Sequence, residues 1–132
     1  MRFVRYQLPA FIWGSGIFVS SSLPSASLPK LEFFGLDKLV HVAVFSLFAV
    51  FTHRAIKFQD RYPLLSTNNL LLTVIITVVY GVIDELHQYF VPGREVSISD
   101  ILADLLGSIL YVAIASMKAR RSARVRQNSA LK

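Results

Sequence analysis

At 132 residues the chain holds one domain's worth of sequence. It is 54% hydrophobic and only 17% charged, where an ordinary soluble domain has about 45–50% and about 25%. This excludes a disordered chain, and zero cysteines exclude a disulfide scaffold or a thiolate metal site. Fourteen Lys and Arg against eight Asp and Glu leave a net +6, so the placement of the charges has to separate a basic soluble protein from a membrane protein.

In chain order, Tyr6 to Pro29 runs 24 positions without a charge. Arg2 and Arg5 precede it and Ser25-Ala26-Ser27 follows its apolar part, so the segment reads either as a retained helix or as a secretory signal with a small-residue cleavage site. Its length favours the retained helix. Leu39 to His53 carries no formal charge, Tyr62 to Ile83 gives 22 uncharged positions, and Ile101 to Met117 is broken only by Asp104. A helix crossing the hydrocarbon core needs about 20 mainly apolar residues. The pattern predicts an all-α, polytopic membrane protein with four transmembrane helices near 6–26, 37–56, 69–90 and 99–117. These form one domain over 1–117, followed by a basic tail over 118–132. A soluble four-helix bundle would show a polar face on each helix, but Leu70 to Val82 is apolar around its circumference.

The positive-inside rule sets the expected orientation. Four spans put the N-terminus, the 57–68 loop and the tail on one side with eleven cations, leaving Lys30, Lys38 and Arg94 on the other. Both termini are therefore expected in the cytoplasm, with the chain in the cytoplasmic (inner) membrane. Of the acids only Asp60 falls inside, whereas Glu32, Asp37, Asp84, Glu85, Glu95, Asp100 and Asp104 fall outside. Eleven cations against one acid give +10 on the inner side; three against seven give −4 on the outer side. Insertion explains the cations and leaves the acids unexplained.

Asp37 and His41 are four apart at the start of the second helix and share a face. At the end of the third, Asp84, Gln88 and either Gly81 or His87 share a face, while Glu85 points about 100° away. Pro92-Gly93-Arg94 reads as a turn. Ser97 and Asp100 have the spacing of a helix cap, and Asp100, Asp104 and Gly107 follow one face of the fourth helix. His41, Asp84 and Asp104 thus lie about one turn below the outer surface on three helices. An ionised group at a helix centre costs about 2.5–3.5 kcal/mol on insertion scales, less toward the interface, so these groups are expected to converge.

DKLVH at 37–41, YGVIDELHQ at 80–88, PGRE at 92–95 and SDILADLLG at 99–107 resemble the motifs of VanZ-like membrane proteins in order, spacing and residue type. The resemblance covers about residues 36–110. It implies a small polytopic membrane protein of the cell envelope associated with tolerance of the glycopeptide antibiotic teicoplanin, and supplies no settled reaction. Where the family's pattern commonly has Asn, this chain has Asp104.

Several chemistries fit these residues. Asp37, His41, Asp84, Glu85 and Gln88 form a candidate acid/base or metal-ligating set, with no zinc-protease spacing present and no cofactor indicated. Lys38, Arg94, Asp100 and Asp104 are candidate substrate-binding residues. Arg94 is placed either to grip a phosphate or carboxylate or to bridge Glu95 or Asp84, while Lys38 is expected to snorkel to lipid phosphates. Ser97 reads as a cap, and Gly81 and Gly107 as close-packing positions. The tail is read as a topology anchor attracted to anionic lipid rather than as a nucleic-acid site. The expected partners are membrane lipids and an envelope lipid or cell-wall precursor, on which the protein acts or which it binds without catalysis. Proton or cation transport is a third class, with Thr52, His53, Thr73 and Thr77 as a thin path inward.

Overall fold

The computed structural model describes residues 2–27 and 35–130. Lys30, Glu32 and Lys132, counted above for their charge, lie outside the described residues. The elements are α1 (Arg2–Tyr6), α2 (Leu8–Ser21), a 3-10 turn (Ser25–Ser27), α3 (Leu36–Lys57), α4 (Pro63–Thr67), α5 (Asn69–Gln88) and α6 (Ile98–Ala130), with no strand among the described residues. α3, α5 and α6 are long and apolar enough to cross a membrane. The 14-residue α2 alone reaches about 21 Å at 1.5 Å per residue, but α1 and Gln7 precede it with right-handed helical backbone, so 2–21 together reach about 30 Å, the thickness of the hydrocarbon core.

The first segment departs from one helix over 6–26. Pro9 has no N–H to give to Arg5 and its ring crowds that carbonyl, so the hydrogen-bond ladder is interrupted at Gln7, which keeps helical φ and ψ of −89° and −44°, and resumes as α2. At the other end Pro24 disfavours the helical region for Leu23, and the helix stops at Ser21. The fourth helix departs in the opposite sense. It runs on from 117 to Ala130, because 118–130 contains no Gly or Pro and is rich in Arg and Ala, both good helix formers. The basic tail is thus a continuation of α6. α3 and α5 match their expected bounds within two residues.

α2, α3, α5 and α6 alternate in direction. Gln7 Nε2 donates to the Ala55 carbonyl at 3.3 Å and Trp13 Nε1 to Val44 at 3.1 Å. The Tyr80 hydroxyl donates to Gly14 at 2.6 Å. Phe45 and Phe48 pack edge to face with centroids 6.0 Å apart, and Ile17, Trp13, Val44 and Tyr80 complete the small apolar core.

Burial across the bundle is inverted relative to a soluble protein. Thr73, Thr77, Ser108, Asp84, Glu85, Gln88 and Asp104 are buried, whereas Leu71, Ile75, Val79, Ile83, Leu86, Leu102 and Leu106 are exposed. In water that apolar surface would have no partner. Surrounded by lipid it does, and the hydroxyls return their protons to the helix: Thr73 Oγ1 donates to Asn69 at 2.7 Å, Thr77 Oγ1 to Thr73 at 2.8 Å and Ser108 Oγ to Asp104 at 3.0 Å.

Gly81 and Gly107 set how closely the helices approach. A Cβ on Gly107 would stand 2.4 Å from the Val42 carbonyl oxygen of α3, and one on Gly81 would stand 2.8 Å from Asp104 Oδ2. The α3–α6 contact is sealed where Ser46 Oγ donates to the Gly107 carbonyl at 2.9 Å.

Candidate functional site at the acidic end of the bundle

The start of α3, the end of α5 and the start of α6 meet at one end, and the C-terminus of α2 closes against them. Val91 O accepts from the Arg94 N–H at 3.1 Å, and Gly93 takes φ 75°, so Pro92-Gly93 makes the expected tight turn. Ser97 caps α6, its Oγ accepting from the Asp100 N–H at 3.3 Å, as the spacing implied. Its own N–H donates to Glu85 Oε2 at 2.9 Å, which ties the loop to α5.

His41 and Asp104 pair directly, Nδ1 to Oδ1 at 2.9 Å. An ionised Asp104 accepts only, which puts a proton on Nδ1, and in the neutral imidazole Nε2 then keeps the lone pair. Nε2 faces Asp100 Oδ2 at 3.9 Å. Lys38 bonds the other oxygen of Asp100 and pairs with Asp37 at 3.0 Å. Its ammonium is therefore held between two carboxylates rather than extended toward lipid phosphates. Asp37 is half-exposed at the rim, whereas Asp104 is buried.

The expected convergence of His41, Asp84 and Asp104 is met by only two of the three. Asp84 turns toward α2, where Ser21 Oγ donates to its Oδ1 at 2.7 Å. Glu85 takes the third place: it is 1% exposed, and one ligand atom each from His41, Glu85 and Asp100 lie within 4.8 Å of one another. The two neighbouring acids of α5 do point apart, as their 100° offset requires, and both directions are interior. Gln88 joins them, Nε2 donating to Asp84 and to Glu85 at 3.3 Å each. His87 stands outside this set, 3.0 Å from Ser22 Oγ and stacked on Phe18.

Arg94 bridges neither Glu95 nor Asp84 among the described residues. Its Nε donates to the Leu23 carbonyl and its Nη2 to Ser20, both at 3.3 Å, so it caps the C-terminus of α2, where a cation is favoured. From there it lines a cavity of about 440 Å³ between α2, α3 and α5. Arg94, His41, Asp84 and Gln88 form the polar end of that cavity, and Ile12, Trp13, Ile17, Val44 and Phe45 form its apolar wall. Ser21 and the α2 wall were absent from the sequence reading. Their signal was the Ser20-Ser21-Ser22 run that ends an otherwise apolar helix.

At the opposite end His53 makes a separate network, Nδ1 to the Tyr111 hydroxyl at 2.6 Å and Nε2 to Asn69 Oδ1 at 2.9 Å. Among the described residues no hydrogen bond joins it to His41, and Thr73 and Thr77 are satisfied within α5. No curated protein and no solved structure matches the chain. The VanZ/LLP1 family model matches residues 2–119, nearly the whole of the described bundle and all four motifs at the acidic end, and the chain belongs to the VanZ/LLP1 family.

Proposed function

We propose that the protein sits in the cytoplasmic membrane with both termini inside, and that its acidic end opens outward to take an envelope lipid or lipid-linked cell-wall precursor with an anionic headgroup. The observation that carries this reading is the amphipathic cavity. Its apolar wall suits an acyl or prenyl chain, and at one end it presents the Arg94 guanidinium beside His41, Asp84 and Gln88. Two of the five guanidinium N–H donors are given to carbonyls, so the planar fork retains capacity for a phosphate. The link to glycopeptide tolerance would follow if that lipid is a precursor the antibiotic recognises.

A second reading, catalysis on the bound lipid, is favoured by one geometric feature. The His41 imidazole is oriented by a buried carboxylate and lines the cavity, the arrangement of a general base held in one tautomer.

Native mass spectrometry of the purified chain tests both readings. A co-purified anionic lipid is expected, reduced about tenfold or more by Arg94→Ala, which corresponds to about 1.4 kcal/mol or more of headgroup binding. Retention of the same lipid by Arg94→Ala would refute the headgroup site. On prolonged incubation, conversion of the lipid by the native chain but not by His41→Ala or Asp84→Asn would establish catalysis. Binding without conversion would leave an accessory protein that presents or shields the lipid.

A further inference from the structure

We infer that His41, Glu85 and Asp100 form a binding site for a divalent transition-metal cation, Zn²⁺ or Mn²⁺, with Asp104 as the positioning residue behind the imidazole. His41 Nε2 faces Asp100 Oδ2 at 3.9 Å, and one ligand atom from each of the three residues falls within 4.8 Å of the others. Ligands about 2.1 Å from one first-row cation stand roughly 3–3.5 Å apart, so closure needs side-chain rotations of about an ångström. One imidazole nitrogen with two carboxylates is a donor set for such a cation rather than for Ca²⁺, which prefers oxygen alone.

Two observations independent of the ligand spacing support the assignment. The first is orientation. His41 gives Nδ1 to the buried Asp104 at 2.9 Å, the carboxylate–histidine arrangement that raises the basicity of a ligating nitrogen and fixes its direction. The second is charge. Asp84, Glu85 and Asp104 are 6%, 1% and 2% exposed, and Asp37 and Asp100 stand beside them, yet Lys38 is the one ammonium paired with this group among the described residues. Arg94 gives two of its five N–H donors to carbonyls and none to these carboxylates among the described residues. Buried carboxylates in this excess require neutralisation or a further positive charge, supplied by a protonated His41 or by a bound cation. Lys38 occupies one oxygen of Asp100 and leaves the other facing His41, so the ammonium and a cation are not in competition for the same atom.

The inference deepens the lipid reading and depends on it only for what the ion would do. His41 also lines the 440 Å³ cavity, so a cation on Nε2 would face an anionic headgroup held by Arg94.

The test uses the full chain in detergent, stripped with EDTA, exposed to Zn²⁺ or Mn²⁺ alone, desalted and assayed for metal. One equivalent per chain is expected, with His41→Ala and Asp100→Asn retaining less than about a tenth as much and Asp104→Asn weakening affinity by about 10–100-fold. The melting temperature of the native chain should rise with the ion while those of His41→Ala and Asp100→Asn do not; unchanged helicity and elution volume establish that these variants are folded. Less than about a tenth of an equivalent on the native chain with both ions, or equal retention by the native chain and both variants, overturns the site. Lipid measured in the same preparations separates the two proposals. Lipid without metal removes the cation site alone, and metal without lipid removes the headgroup site alone.

Discussion

Asp104→Leu is expected to lower the stability of the folded chain by about 3 kcal/mol, whereas Asp104→Asn is expected to cost less than about 1.5 kcal/mol. The first value lies where two ranges meet. Breaking a buried charged pair costs about 3–5 kcal/mol, and leaving a neutral buried donor without its acceptor costs about 1–3 kcal/mol. Asp104 is 2% exposed and accepts from His41 Nδ1 at 2.9 Å, so leucine leaves that N–H facing a methyl group in a site closed by Gly81 on the other side. Asparagine keeps an acceptor oxygen at the same reach, and it is the residue that the resemblance led one to expect here. Equilibrium unfolding in mixed micelles checks the pair of values. Equal losses for the two variants would show that packing, not the acceptor, is what His41 requires.

Gly107→Leu is expected to prevent α3 and α6 from assembling, and even Gly107→Ala is expected to cost about 1–3 kcal/mol, the ordinary penalty for overpacking. The reason is the neighbour. The added Cβ would stand 2.4 Å from the Val42 carbonyl oxygen and 3.1 Å from the Ser46 nitrogen. Both are backbone atoms, so no side chain can rotate away and a whole helix must shift. That shift would also break the Ser46–Gly107 bond and carry His41, one residue before Val42, away from Asp104. Gly16→Ala is the control: its Cβ meets nothing within 4 Å, and its stability should stay within about 0.5 kcal/mol of the native chain. Unfolding of the three variants under one condition reads the order directly, and a Gly107→Ala as stable as Gly16→Ala would contradict the contact.

The helices were legible because each is an apolar run bounded by charge or by Pro and Gly, and that signal needs no tertiary information. Their ends were less so. The break at Gln7 depends on one proline, and the run of α6 to Ala130 depends on helix propensity in a segment that hydropathy counts as outside the membrane. The acidic end was legible as a set of residues but not as a set of contacts. His41 and Asp104 could be paired by depth, whereas the choice between Asp84 and Glu85 turns on which neighbour each side of α5 meets. The four-residue series Thr73, Thr77, Gly81, Glu85 marked the interior stripe and would have placed Glu85 there. The protein partners of Lys38 and Arg94 were not legible for a common reason. A surface cation has many partners available, and only the fold places Asp100 and the carbonyls ending α2 within reach.

The central claim is that the cavity selects a lipid by its headgroup. A photo-crosslinking residue at Val44, on the cavity wall, can be compared with one at Ile109, on the exposed apolar surface, in vesicles of phosphatidylglycerol or phosphatidylcholine. Val44 is expected to capture the anionic lipid over the zwitterionic one by about tenfold, near 1.4 kcal/mol, and to lose that preference in Arg94→Ala, while Ile109 shows no preference. Equal capture of both lipids at Val44 would contradict the account.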